Sequence, residues 1–245
     1  MSLGLDPIST HKKVCSFNCT YCQLGCAEQA DAIAGRQVFV ATSDLIEEIK
    51  LLESEVRIDY LTFSGNGEPT LAANLGEMIT AVRSVRPEKV AVITNGTLLG
   101  RKDVQADLKG VDLVLVKLEA ADERVFQALN RPAAGITWRS TLDGIKAFKG
   151  TFKGRFALQI MFVEANKAQA SKLAALAREI GADEIQLNTP LRPNAEKPLS
   201  LLEMTAIKDQ FAGLNVRMVY EEEKKDYHPF DDQQTIRRHG QYKQA

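Results

Sequence analysis

The chain has 245 residues, with 31 basic and 32 acidic side chains and a formal net charge of −1. This length is enough for one large domain with a sizeable core. The balanced charge argues against a dedicated nucleic-acid-binding protein and against DNA as a partner. A hydrophobic content of 44% and a charged content of 26% exclude a disordered or collagen-like chain. Because we find neither a membrane-length apolar run nor a signal-peptide pattern, we expect a cytoplasmic protein without a membrane partner.

Strand-like and helix-like stretches alternate along the chain, as judged from β-branched content and from 3.6-residue apolar spacing. In chain order, the predicted elements are a strand at Ser2–Leu5, a helix at Thr42–Glu55, a strand at Ile58–Ser64, a helix at Leu71–Val85, strands at Val90–Thr94 and Leu113–Leu118, helices at Glu123–Leu129 and Ser140–Phe148, a strand at Phe156–Val163, a helix at Ala168–Ile180, a strand at Glu184–Asn188, a helix at Leu201–Phe211 and a strand at Val216–Tyr220.

This order predicts a parallel sheet, because each strand needs a crossover helix before the next one. About six strand–helix units fall short of a closed eight-unit barrel, which typically takes ~250 residues. We therefore predict a single-domain α/β fold, a partial (β/α)6 TIM-like barrel with a parallel sheet. The barrel is expected over residues 1–220, and residues 221–245 are expected to form a C-terminal extension or tail.

All four cysteines lie within twelve positions, at Cys15, Cys19, Cys22 and Cys26. Cysteines this close together make a poor disulfide framework, and such thiols in an intracellular chain usually hold a metal or a cluster. Zinc is one alternative, but its usual sites pair two C-x2-C arms or add histidines. Here the spacing is C-x3-C-x2-C-x3-C and the three histidines are scattered.

Polar and glycine-rich residues follow several predicted strands. Ligands of parallel sheets bind at the carboxyl ends of the strands, so these residues are expected to line one site. They are Gly65, Asn66, Gly67 and Glu68 after the second strand, Asn95 after the third, Lys117 at the end of the fourth, and Asn188 and Arg192 at and after the sixth.

Two of these segments carry a family resemblance. Cys15 to Cys22 resembles the C-x3-C-x2-C signature of the radical SAM superfamily, including Tyr21 before the last cysteine, and Gly65 to Pro69 resembles its Gly-Gly-Glu-Pro motif. The stretches SLGLD, KVCSFNCTYCQLG, SGNGEPTL, TNG, LNRP and QLNTPLRP are similar to a group of small iron–sulfur proteins related to the wyosine-base synthases, which modify tRNA. The chain departs from that group by starting directly at SLG, without an arginine-rich segment before it.

The resemblance implies a cluster loop at residues 10–27, in which Cys15, Cys19 and Cys22 bind a [4Fe–4S] cluster. Three thiolates leave one iron open, and substrate chemistry at a metal needs such an open position. In the family, that iron binds S-adenosylmethionine (SAM), and one electron cleaves SAM to methionine and a 5′-deoxyadenosyl radical that abstracts hydrogen from the substrate. An external electron donor of the flavodoxin or ferredoxin type is also implied.

The resemblance further implies SAM contacts for several residues. Tyr21 and Phe17 are each expected to pack either beside the cluster or adenine or in the core. The backbone at Gly65, Asn66 and Gly67 approaches the methionyl amine, and Glu68 binds either backbone or that amine.

Asn95 and Lys117 are candidates for binding the ribose hydroxyls or the methionyl carboxylate. For Lys117, an ion pair with Glu119 is the alternative. Asn188 is a candidate for adenine or ribose. Arg192 reaches SAM or an anionic substrate, or is an ordinary surface arginine.

Cys26 leaves a choice between functions. As a fourth ligand it would close the cluster and make the protein an electron carrier, whereas otherwise it is a bystander or faces the substrate. A zinc-stabilised binding module is the third alternative, but neither alternative explains the Gly65–Pro69 segment. We therefore predict a radical SAM enzyme. A small-molecule substrate is favoured, and an RNA or peptide substrate, including a tRNA base, stays open.

Overall fold

The computed structural model describes residues 1–25, 35–52 and 57–221. Over these residues the elements are β1 (Ser2–Leu5), α1 (Thr42–Lys50), β2 (Tyr60–Phe63), α2 (Leu75–Val85), β3 (Lys89–Thr94), α3 (Lys102–Asp107), β4 (Leu113–Lys117), α4 (Glu123–Asn130), α5 (Trp138–Thr151), β5 (Arg155–Met161), α6 (Ala170–Ile180), β6 (Glu184–Asn188), α7 (Leu201–Asp209) and β7 (Val216–Met218). Cys26 and residues 222–245, on which we made predictions, lie outside the described ranges.

The seven strands form one sheet in chain order, from β1 to β7, and every neighbouring pair is parallel. Among the described strands, β1 and β7 are the two edges of the sheet, so the barrel is open. The predicted α/β class and the partial TIM-like barrel are confirmed. All strands point the same way, so all their carboxyl ends meet at one rim.

One face of the sheet is apolar and fully buried, and the residues on it alternate along each strand. Leu61 and Phe63 in β2, Val114 and Val116 in β4, and Leu158 in β5 are completely buried. A buried apolar face is typical of parallel sheets, which have helices packed against them. None of the helices in the described ranges has the length and apolar content needed to cross a membrane.

Several helix ends are shifted from the prediction, and α1 ends at Lys50 rather than at the expected Glu55. Two helical stretches differ more fundamentally. The helix expected from Leu71 begins at Leu75, because Pro69–Leu71 forms a separate 3-10 turn, in which the Thr70 backbone N–H is capped by the Glu68 side chain. The helix α3 was not predicted. It is only six residues long, too short for a clear amphipathic period.

A second, smaller apolar core joins the cluster loop to α4. Phe17, Cys19 and Tyr21 from the loop pack with Phe126 and Leu129 of the helix. The Phe17 and Phe126 rings meet edge to face, with centroids 5.3 Å apart. This packing holds the cluster loop over the carboxyl ends of the strands.

Candidate active site

A cavity of about 710 Å³ opens at the carboxyl ends of the strands. Every described residue that the sequence analysis selected for the site lines it. They are Cys15, Cys19, Tyr21, Cys22, Gly65, Asn66, Gly67, Glu68, Asn95, Lys117, Asn188 and Arg192. The loops after parallel strands thus bring together side chains that are up to 177 positions apart (15 to 192).

The cluster loop is attached by backbone hydrogen bonds on one side to the glycine turn, residues 65–69. The Val14 N–H donates to the Asn66 carbonyl at 2.9 Å, and the Glu68 N–H donates to the Val14 carbonyl at 2.9 Å. A Cβ atom on Gly67 would lie 1.6 Å from the Val14 carbonyl oxygen. Glycine is therefore required at position 67 by the cluster loop itself. A contact of this turn with the methionyl amine stays a prediction.

On its other side the cluster loop is attached to the end of α4. The Asn18 N–H donates to the Asn130 carbonyl at 2.9 Å, and the Thr20 N–H donates to the Leu129 carbonyl at 3.0 Å. Arg131 ends the helix with a left-handed backbone, φ 45°. The last carbonyls of the helix, which have no partners within it, thereby accept from the loop.

Glu68 joins the ends of β2 and β3. Its carboxylate is 2% exposed and accepts from the backbone N–H and hydroxyl of Thr70, from the Thr94 hydroxyl at 2.6 Å and from the Asn95 N–H at 2.7 Å. Burial raises the pKa of Glu68, and these four donors oppose that effect. The carboxylate is fully engaged by protein groups, and its predicted contact with the methionyl amine stays untested.

Asn95 connects this network to the first cysteine. Its side-chain amide donates to the Ser16 hydroxyl at 2.8 Å and to the Cys15 sulfur at 3.6 Å. Its side-chain oxygen accepts from the backbone N–H and the hydroxyl of Thr97. In this structure Asn95 therefore orients Cys15, and a contact with ribose or carboxylate stays a prediction.

A second network surrounds the second cysteine. The Asn130 amide donates to the Cys19 sulfur at 3.6 Å and to Glu119 Oε2 at 2.5 Å. The Glu119 carboxylate also pairs with Lys117, at 3.4 Å, and the Lys117 ammonium lies 5.3 Å from the centre of the Tyr21 ring. Lys117 is thus paired inside the protein, as one of its two predicted roles requires. Burial raises the pKa of Tyr21 well above its usual range, and nearby Cys19 and Glu119 add to the effect.

Burial affects the thiols of Cys15 and Cys19. Burial, with a smaller contribution from Glu68, raises the pKa of Cys15 to about 11. Burial and the nearby Glu119 raise the pKa of Cys19 to about 12. Both are neutral thiols at neutral pH in the absence of a metal, and metal binding must displace their protons.

This donor set fits an iron–sulfur cluster. Across the described ranges no three His, Cys, Asp or Glu side chains converge on the position of a single metal ion. In a cluster each thiolate binds its own iron, so the three thiols need only line one cavity, as Cys15, Cys19 and Cys22 do. The amide donors at Cys15 and Cys19 are also typical of the surroundings of cluster sulfurs.

The remaining predicted residues lie on the β6 side of the cavity. Asn188 ends β6, and its backbone carbonyl accepts from the Phe162 N–H at 2.7 Å. Arg192 is exposed, and its guanidinium donates to the Gln23 side chain at 2.8 Å. Arg192 thereby connects the loop after β6 to the end of the cluster loop.

Asn130 and Lys13 are among the residues of the site that were not selected from the sequence. Asn130 belongs to the LNRP stretch, which was noted only as part of the resemblance. Lys13 lies two positions before Cys15 and belongs to the lining of the cavity, and its Nζ atom is buried without a hydrogen-bond partner in the described structure. The position of Asn130 in LNRP was an available signal, whereas nothing in the sequence separates Lys13 from the exposed Lys12 beside it.

Comparison with known proteins agrees with this geometry. A model of the radical SAM superfamily matches residues 9–177, more than half of the chain. A UPF0026 protein of Synechocystis sp. is 38% identical over 200 residues, which are 81% of this chain and 72% of that protein.

Solved structures show the same fold. Streptococcus suis SuiB bound to S-adenosylmethionine matches 89% of this chain with a TM-score of 0.66 and 16% identity, and this chain spans only 50% of SuiB. Archaeal TYW1 matches 87% of this chain with a TM-score of 0.59 and 16% identity, over 72% of its own length. At these identities the likeness concerns the fold alone. Because the superfamily model matches residues 9–177 and the Synechocystis protein is a relative over most of its length, the chain belongs to the radical SAM superfamily, a class of SAM-cleaving radical enzymes. Within it, the chain groups with the UPF0026 proteins.

Proposed function

We propose that Cys15, Cys19 and Cys22 hold a [4Fe–4S] cluster with one open iron and that SAM occupies the adjoining cavity. The observation that carries this proposal is that the three thiols and the glycine turn line one cavity. They are fixed to each other by the paired backbone hydrogen bonds of Val14. When bound, the cluster supplies one electron that cleaves SAM and yields the 5′-deoxyadenosyl radical, which abstracts hydrogen from a substrate.

The residues of this chain supply orientation and a dry environment for that chemistry. Asn95 and Asn130 orient two of the thiols, and the apolar contacts of Phe17 and Tyr21 keep water away from them. On the family analogy, the glycine turn, Asn95, Lys117 and Asn188 would be the residues that hold SAM. An external donor of the flavodoxin or ferredoxin type supplies the electron, and the cytoplasm keeps the thiols reduced.

For the substrate we favour a small molecule. The cavity of about 710 Å³, which under this proposal also holds the cluster and SAM, lies within the usual range of small-molecule sites, about 300–1,000 Å³. The near-neutral charge of the chain offers no general attraction for RNA. Addition of metabolite pools, peptides or tRNA to the SAM cleavage assay tests this preference, because the true substrate is expected to stimulate cleavage.

The proposal is tested by anaerobic reconstitution with iron and sulfide, followed by measurement of iron content and of 5′-deoxyadenosine after reduction with dithionite. Serine substitutions of Cys15, Cys19 and Cys22 are each expected to abolish product formation and to reduce bound iron.

Cys26→Ser is the matched control, since it removes a neighbouring thiol with the same chemistry. It is expected to leave both iron content and cleavage unchanged. If only Cys26→Ser created SAM cleavage that the unchanged protein lacks, the cluster would be a closed, four-cysteine electron carrier. A colourless protein with intact SAM would instead support a zinc module.

A further inference from the structure

One residue that lines the cavity, Lys13, has a buried ammonium group without a hydrogen-bond partner in the described ranges. Its Nζ atom is inaccessible to solvent. Burying an ammonium group without an acceptor costs free energy, and buried charges in proteins are normally paired. A lysine that breaks this rule at the wall of a cavity is best explained by a ligand that supplies the missing acceptor.

The carboxylates that line the same cavity are already engaged. Asp6 accepts from the backbone N–H groups of Ile8 and Asn66, at 3.0 and 3.1 Å. Glu68 accepts from Thr70, Thr94 and Asn95, as described above. Neither carboxylate is a hydrogen-bond partner of Lys13.

The position of Lys13 is fixed by its neighbour in the chain. Val14 is hydrogen-bonded on both sides to the glycine turn, so Lys13 is held next to the turn. The lining of the cavity carries three cations, Lys13, Lys117 and Arg192. Lys117 pairs with Glu119 and Arg192 donates to Gln23, whereas Lys13 has no hydrogen-bond partner in the described ranges. Its charge does act on the nearby Cys15 thiol, where it opposes the rise of the pKa.

We propose that Lys13 binds an anionic group, a carboxylate or a phosphate, of a small molecule in the cavity. The group has two candidate sources, the methionyl carboxylate of SAM and an acidic group on the substrate. The first source rests on the proposed function above, whereas the second requires only that the cavity binds a small anion.

The first arm of the test measures stability in the reconstituted protein without ligand. Lys13→Met keeps the length of the side chain and removes its charge, so it is expected to raise the unfolding temperature by about 2 to 4 °C. Lys12→Met is the matched control, because Lys12 is the exposed neighbour and its loss is expected to change nothing. A lower unfolding temperature for Lys13→Met would show that the protein itself uses the ammonium, and would overturn the proposal.

The second arm measures binding by isothermal titration calorimetry with SAM and with decarboxylated SAM. If SAM is the source, Lys13→Met weakens SAM binding by about tenfold and leaves decarboxylated SAM unaffected. Lys13→Arg, which keeps the positive charge, is expected to restore most of the affinity for SAM.

The third arm uses inorganic phosphate as the probe. If the substrate is the source, SAM binding is unchanged by Lys13→Met, and phosphate raises the unfolding temperature of the unchanged protein and of Lys12→Met but not of Lys13→Met. If neither SAM binding nor the phosphate effect depends on Lys13, the proposal is wrong. Failure of the proposed function looks different, since the unchanged protein would then bind no SAM while the stability and phosphate arms still report on Lys13.

Discussion

The side-chain amide of Asn130 donates to the sulfur of Cys19 at 3.6 Å, and it is held there by Glu119 at 2.5 Å. Asn130 is 2% exposed and ends the helix α4, whose last carbonyls accept from the cluster loop. One residue thus orients a cysteine sulfur and anchors the loop that carries it.

This relationship predicts a change in reduction potential. An N–H donor stabilises the more negative, reduced state of a sulfur-ligated cluster. Asn130→Ala is therefore expected to lower the midpoint potential, by about 60 mV if the reduced-to-oxidised ratio falls tenfold. The measurement is a redox titration followed by EPR. Asn215→Ala, which removes an exposed amide bonded to the Asp183 carbonyl, is the control and should leave the potential unchanged.

The glycine turn gives a steric prediction. A methyl group at position 67 would overlap the Val14 carbonyl, so Gly67→Ala prevents the cluster loop from docking. We expect a loss of about 3 kcal/mol or more in the free energy of unfolding, together with low iron content after reconstitution. Gly150→Ala in α5 is the control, since nothing lies within 4 Å of its added Cβ. It is expected to stabilise the protein by up to about 1 kcal/mol. Equal behaviour of the two variants in urea unfolding would refute this account of the turn.

The Glu68 network predicts a cost for an uncharged replacement. Glu68→Gln keeps the shape of the side chain but replaces one acceptor oxygen by an amide group, which is itself a donor. Four protein donors point at the carboxylate, so the amide group would face a donor instead of accepting from it. Leaving buried donors without acceptors costs about 1–3 kcal/mol each, so a loss of about 2 kcal/mol or more in unfolding free energy is expected. The exposed Glu77→Gln on α2 should change stability by less than about 0.5 kcal/mol. If both variants unfold at the same urea concentration as the unchanged protein, the contacts of Glu68 do not stabilise the ends of β2 and β3.

Asp183 gives a prediction about pH. Partial burial opposes its ionisation, but the Phe156 N–H at 2.7 Å and the Lys149 ammonium at 3.1 Å outweigh burial and lower the pKa of Asp183. A carboxyl with a lowered pKa stabilises the fold above its ordinary pKa of about 3.9, and this contribution is lost as the pH falls through the folded pKa.

Asp183→Asn is therefore expected to lower the free energy of unfolding at pH 7 by about 1 kcal/mol or less, because the pair is partly exposed. The difference from the unchanged protein should shrink below about pH 4. Urea unfolding at several pH values measures it, with the exposed Asp209→Asn as the control. A difference that stays constant down to pH 3 would contradict the assigned pKa direction.

The fold could be predicted because its signals are local. Apolar runs such as Val90–Thr94 and capped helices repeat along the chain, and their order alone implies a parallel sheet with one rim of carboxyl ends. That rule was enough to place Asn95, Lys117 and Asn188 in one cavity with the cysteines. The short helix α3 was missed because six residues are too few for a period.

The roles of single residues were harder to predict, because they depend on contacts between distant parts of the chain. Asn130 reaches a sulfur 111 positions away, and Asn95 reaches one 80 positions away. From the sequence, we expected a glycine at position 67 because the backbone there would approach the methionyl amine of SAM. The structure shows that a glycine is needed there because a Cβ atom would overlap the Val14 carbonyl. The burial of Lys13 Nζ depends on how the loop docks, which the sequence does not encode locally.

The most direct test of the central claim is the EPR spectrum of the reconstituted, dithionite-reduced protein, recorded with and without SAM. If Cys15, Cys19 and Cys22 leave one iron open, SAM binds at that iron and changes the spectrum of the reduced [4Fe–4S] cluster, and Cys26→Ser behaves in the same way. An unchanged spectrum in the presence of saturating SAM would contradict the account, because it would mean that every iron already has a protein ligand.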